Sequence, residues 1–147
     1  MRASSLSSLI ALSLVLIGTG CRESVGVIAA HDNGKGKNAI YDATLDDSWK
    51  AAHIALRWDQ AGTPEDHQDK GYVITNHPGS AASSMTDQVG VWFESMNASK
   101  TRVSVVVMTG SESTAGVTGP DEETLQRDIA KALALVQGGQ PIPEKRP

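Results

Sequence analysis

The sequence predicts an α+β fold: a two-layer sandwich in which a mostly antiparallel sheet of about four strands carries two helices on one face. Two amphipathic helical segments and a series of short alternating segments predict it, in the order (β)-β-α-β-β-β-α. Consecutive strands favour antiparallel pairing. Helices with a single apolar stripe bury it most simply on one face of the sheet, so we expect the other face to be more polar.

The predicted strands are short and rich in β-branched residues. The clearest is the last, where Val103, Val105 and Val107 share one face,. A turn at residues 97–100 should join it to the preceding strand as a hairpin. Trp92 is out of phase with Phe93, which predicts that it lies on the polar face, either exposed for a partner or membrane contact or covered by a loop. The predicted strands are residues 25–30 (an optional first strand), 38–43, 72–76, 89–95 and 101–109.

Two helices are predicted from their apolar period and their start signals. The first runs from Thr44 or Leu45 to about Trp58, and Thr44 with Asp47 forms a variant of the capping box,. The second covers residues 121–136, with acidic residues at its start, where the helix dipole favours negative charge. The predicted apolar stripes are Leu45, Trp49, Ala52 and Leu56 in the first helix, and Leu125, Ile129, Ala132, Leu133 and Val136 in the second.

The N-terminus has the layout of a cleaved export signal. Arg2 supplies a positive start, an apolar run follows to Ile17, and small residues lead to the single cysteine, Cys21,. A membrane-spanning helix needs about 20 apolar residues, roughly twice the run present here. A buried core helix fits the extreme N-terminal position and the small residues less well. We therefore predict cleavage between Gly20 and Cys21, with residues 1–20 as a lipoprotein signal peptide.

The position of the cysteine predicts lipidation. Gly18-Thr-Gly-Cys21 is similar to the bacterial lipobox, whose cysteine thiolate takes a diacylglycerol and whose freed amine takes a third chain such as palmitate. Two or more buried chains make a stable anchor. Arg22, rather than aspartate, follows the cysteine, which in many Gram-negative lipoproteins indicates the periplasmic leaflet of the outer membrane. In an envelope with one membrane the location becomes its outer face. The alternative is an exported protein with a free thiol.

The processed chain has the size of one domain. Residues 21–136 are predicted to form a single α+β domain, and the proline-rich residues 137–147 a disordered tail,. Without residues 1–20 the chain keeps all 17 acidic and 12 of its 13 basic residues, a net charge near −5. This charge and the low aromatic content argue against nucleic acid as a partner. Membrane attachment must then come from the acyl chains.

The stretch from Tyr41 to Leu56 carries a family resemblance. Tyr41-Asp-Ala-Thr-Leu-Asp46, followed by Trp49 and Ala55-Leu56, resembles a family of short, uncharacterised bacterial lipoproteins with a domain of unknown function. Their later strand, beginning Lys-Thr-x-Val, is matched by Lys100-Thr-Arg-Val103. The resemblance implies the same order of elements and an envelope location. It brings no catalytic residues to this chain.

The candidate chemistry is limited to loop histidines. His31, His67 and His77 could converge on a metal such as zinc, although no two have short ligand spacing,. A serine-nucleophile elbow is absent from the sequence, so we expect no enzymatic activity. The sequence thus predicts a non-enzymatic envelope lipoprotein that needs no cofactor and binds an unknown protein partner. The alternative is a periplasmic module that binds a small ligand or metal through the three histidines.

Overall fold

A computed structural model describes residues 24–77, 87–108 and 121–147 and confirms the α+β class. Within these ranges three helices accompany one five-stranded sheet. In chain order the elements are helix α1 (Ser24–Asp32), strand β1 (Lys37–Tyr41), helix α2 (Leu45–Trp58), strand β2 (Glu65–His67), strand β3 (Tyr72–His77), strand β4 (Asp87–Asn97), strand β5 (Lys100–Met108) and helix α3 (Glu122–Gln137).

The strand order in the sheet is β1-β5-β4-β3-β2, and every neighbouring pair is antiparallel. The predicted hairpin between β4 and β5 is confirmed, with Asn97 opposite Lys100. β1 lies at one edge because it pairs only with β5. β2, a short strand within the segment predicted as a loop, pairs with β3 at the other edge and raises the strand count from about four to five.

Helices α2 and α3 cover one face of the sheet, as predicted. Leu56 of α2 and Leu125 and Ile129 of α3 are fully buried against the inward valines of β4 and β5. Thr44 Oγ1 accepts a hydrogen bond from the Asp47 backbone N–H at 3.1 Å, which caps α2. Leu45 differs from the prediction, because this first residue of α2 stays 43% exposed.

Residues of the Tyr41–Leu56 stretch hold α2 and α3 to the sheet. The Tyr41 hydroxyl lies 2.5 Å from Gln126 Oε1 and 3.0 Å from the Gln126 carbonyl oxygen. Trp49 packs against Phe93, with ring centroids 4.4 Å apart. Burial raises the pKa of the Tyr41 phenol to about 12.

The prediction of a strand over residues 25–30 is wrong, since these residues belong to α1. A short apolar run does not distinguish a strand from a helix by its period. Val27 and Ala30 of α1, three positions apart, pack on Tyr72, Ile74 and Val106. These three residues alternate along β3 and β5 with residues buried beneath α2 and α3, so they lie on the opposite face of the sheet. That face is therefore partly covered by a helix rather than fully open.

The prediction of a disordered tail is also corrected. After α3 the chain reverses at Gly139, whose φ of +58° is a left-handed conformation that suits glycine,. Ile142 then packs against the core, and the Pro143 carbonyl oxygen accepts a hydrogen bond from Trp58 Nε1–H at 2.8 Å. The packed part of the chain therefore continues beyond α3, with contacts as far as Arg146. We call residues 138–147 the C-terminal strap.

In the described part of the chain, no helix combines the length and apolar character that crossing a bilayer requires.

Candidate functional site

The predicted site residues fall in separate places. Gly20 and Cys21 lie outside the described residues, which begin at residue 24. His31 lies in the last turn of α1, His67 ends β2 and His77 ends β3. The structure brings His31 and His67 onto one surface and places His77 elsewhere.

His31 and His67 belong to a row of rings across the sheet face that carries α1. His31 stacks on Trp92 with ring centroids 4.0 Å apart and planes nearly parallel. Trp92 contacts its cross-strand partner Tyr72 at 5.7 Å, and Tyr72 contacts His67 at 4.6 Å. Gly90 makes this arrangement possible, because a Cβ there would lie 2.4 Å from the Trp92 ring. Trp92 is thus covered by α1, rather than by the loop that was one of the predicted alternatives.

The two histidines of this ring row have different polar partners. His67 Nε2 lies 2.9 Å from Glu65 Oε1, and His31 Nδ1 lies 3.7 Å from Asp32 Oδ1. Two aromatic rings separate the two imidazoles. Across residues 24–77, 87–108 and 121–147, no group of three or more His, Cys, Asp or Glu side chains is arranged to hold a metal ion. The described geometry therefore does not bring the three histidines together as the alternative hypothesis requires.

His77 instead belongs to a largely buried polar cluster with Asp59, Asp128 and Arg146. Its Nε2–H donates to the Asp59 backbone carbonyl oxygen at 2.8 Å. Arg146 Nη2 donates to Asp59 Oδ1 at 3.1 Å and lies 2.7 Å from Asp128 Oδ2. The two carboxylate side chains are only 12% and 3% exposed, whereas Arg146 is 39% exposed. One guanidinium thus contacts two buried carboxylates and can balance the charge of only one of them.

The polar cluster is incompletely hydrogen-bonded. Asp59 Oδ2, His77 Nδ1 and Asp128 Oδ2 are buried and have no hydrogen-bond partner within the described residues. The 2.7 Å contact between Arg146 and Asp128 Oδ2 is therefore ionic and lacks the direction of a hydrogen bond. Burial raises the pKa of the Asp59 carboxyl above its ordinary value, while His77 and Arg146 act in the opposite direction. The cluster carries more acceptors than the described residues satisfy.

A surface groove of about 860 Å³ opens beside the polar cluster. The C-terminal strap forms one wall, and the end of α2 and His77 form the other. The described residues that line it include no serine, threonine or cysteine that could act as a nucleophile. They are Arg57, Trp58, Asp59, Gln60, His77, Glu144, Lys145 and Arg146.

Sequence reasoning did not find this cluster, although one signal was present. Asp128 lies within the predicted apolar stripe of α3, three residues after Leu125 and four before Ala132. A carboxylate on a buried helix face requires a partner. The partner, Arg146, lies in the segment that composition predicted to be disordered, so the pairing was not foreseen.

No protein-family model matches this sequence, and a comparison with curated proteins finds no match.

Proposed function

We propose that this protein is a non-enzymatic envelope lipoprotein, anchored by acyl chains on Cys21, whose α+β domain binds another protein. The observation that carries the proposal is the position of the single cysteine after a signal-like run and directly before the domain. Only Arg22 and Glu23 separate Cys21 from the first residue of α1. At about 3.5 Å per residue, α1 would begin within roughly 10 Å of the anchored sulfur.

This short spacing would orient the domain on the membrane. Gly26, in the first turn of α1, lies against Gln88 and Met108, since a Cβ at Gly26 would be 3.7 Å and 3.5 Å from their side chains. The end of the sheet where β4 begins and β5 ends would therefore face the bilayer. The turn between Asn97 and Lys100 would point away from it. An anchored domain of this kind has a defined side available for a partner.

A binding role fits the described chemistry better than a catalytic one. The His77 ring donates to a backbone carbonyl, and the His53 ring lies 2.8 Å from Asp66 Oδ1, where it links α2 to the segment of β2. Both histidines thus connect structural elements. The groove beside Asp59 offers charged and aromatic groups but no described hydroxyl or thiol nucleophile.

Metabolic labelling with palmitate in the native host tests the anchor. The wild-type protein should incorporate label, and Cys21→Ser should incorporate none and accumulate as the unprocessed precursor. Arg22→Asp is the matched control, because it keeps the cysteine and should remain labelled. In a two-membrane envelope it should also move the protein from the outer to the inner membrane fraction. An unlabelled wild-type protein would refute the proposal.

A further inference from the structure

The C-terminal strap packs on the end of α2 beside the groove, in the manner of a proline-rich ligand. Its residues Pro141-Ile-Pro143 have neither helical nor strand structure, and the Pro143 carbonyl oxygen accepts the Trp58 indole N–H. Proline-rich segments are commonly bound in this way, since their restricted backbone costs little entropy and offers free carbonyl groups to aromatic donors. Three residues later, Arg146 reaches the buried carboxylates. The strap thus supplies an apolar residue, a carbonyl acceptor and a cation.

The strap satisfies the polar cluster beside this groove only in part. Two buried carboxylates, Asp59 and Asp128, share the single guanidinium of Arg146, and one oxygen of each lacks a hydrogen bond from any described residue. Beside the strap the groove stays open over about 860 Å³. A buried acceptor without a donor is costly. A segment with a second cationic donor would therefore complement the polar cluster better than the strap does.

We propose that the surface covered by the strap, with the groove beside it, is a peptide-binding site for an extended segment of a partner protein that is rich in proline and arginine, with the strap as its internal competitor. The inference rests on the proposed role in protein binding but not on lipidation of Cys21. Gly138 and Gly139 join the strap to α3, and such residues allow the backbone to turn away at low conformational cost,. A partner segment would take the place of Ile142, Pro143 and Arg146.

Peptide binding to full-length protein in mild detergent tests the proposal. The protein carries Arg146→Met, which removes the strap's cation and keeps its aliphatic stem. Fluorescence anisotropy then compares a labelled peptide of residues 138–147 with the same peptide carrying Arg146→Met. The native peptide should bind about tenfold more tightly, the size of one charge-assisted contact. A peptide with Glu144→Arg should bind more tightly still. Equal binding of all three peptides, or none, would overturn the proposal.

Lys145→Met is the matched control in both protein and peptide, because it removes one positive charge and leaves Arg146 on the buried carboxylates. It should leave the peptide ranking unchanged, and a loss as large as that from Arg146→Met would contradict the proposal.

A second variant keeps the test decisive if Arg146→Met fails to fold. A specific protease site replaces Gly138-Gly139, and the folded protein is cut there, so that the native strap becomes a separate chain. The Glu144→Arg peptide should then displace the strap at lower concentration than the native peptide does. Failure of both peptides to displace it would overturn the proposal, as would light scattering that shows dimers formed by strap exchange. Palmitate labelling is unaffected by these outcomes, so loss of the groove and loss of the anchor are separate results.

Discussion

Replacement of Arg146 by methionine should destabilise the domain far more than its exposed position suggests. Arg146 lies 3.1 Å from Asp59 Oδ1 and 2.7 Å from Asp128 Oδ2. Removing one partner of a buried ion pair costs about 3–5 kcal/mol because the other charge is left unpaired. Solvent reaches about two-fifths of the Arg146 side chain and screens part of the interaction,. We therefore expect a loss of roughly 2 kcal/mol in the free energy of unfolding, or roughly 8 °C in Tm.

The loss should depend on pH in a direction that burial of Asp59 determines. Its pKa is already above the ordinary 3.8, chiefly through desolvation, and loss of Arg146 should raise it further. A carboxyl with a raised folded-state pKa favours folding when protonated, and this contribution disappears as the pH rises through that pKa. The deficit of the variant should therefore be largest near pH 7 and should shrink as the pH falls toward 4.

Denaturant unfolding at several pH values between 4 and 7 measures the effect. Lys145→Met, which removes a neighbouring charge from the same segment, should change the free energy of unfolding by less than about 0.5 kcal/mol. The reasoning would be refuted if the two variants were equally stable, or if the Arg146→Met deficit did not change with pH.

Three further perturbations test the packing by thermal or chemical unfolding. Gly90→Ala should lower the free energy of unfolding by roughly 1–3 kcal/mol, because its Cβ would meet the Trp92 ring at 2.4 Å,. Gly26→Ala, where the contacts of a Cβ are ordinary, should be neutral or should raise it by up to about 1 kcal/mol,. Equal effects of the two substitutions would contradict the position of the Trp92 ring over Gly90. Thr44→Ala should cost about 1 kcal/mol by removing the cap of α2,, and an unchanged midpoint would show that this cap contributes nothing. In a Tyr72→Phe background, absorbance should show the Tyr41 phenol ionising near pH 12 rather than 10. Because its folded-state pKa is raised, the contribution of Tyr41 to the free energy of unfolding should be retained below pH 10 and should decline above it. Ionisation near pH 10 would refute burial of this phenol.

The sequence alone determined the class of the fold and most of its elements. Local signals settle α2, α3 and the β4–β5 hairpin, because an apolar period of 3.6 or 2 and a capping residue act within a few residues of chain. Cys21 and the residues before it likewise predict the anchor without reference to the fold. These features are readable because their physical cause lies in neighbouring residues.

Only the tertiary structure decided that residues 25–30 are helical, that the strap is ordered, and which residues make up the candidate site. Residues 25–30 become a helix because the sheet face offers Tyr72, Ile74 and Val106 to bury Val27 and Ala30. The strap is ordered by contacts with Trp58, Asp59 and Asp128, which lie distant in sequence. Chain folding alone brings together two carboxylates and one guanidinium that local patterns treat as unrelated charges, since their pairing energy depends on shared burial.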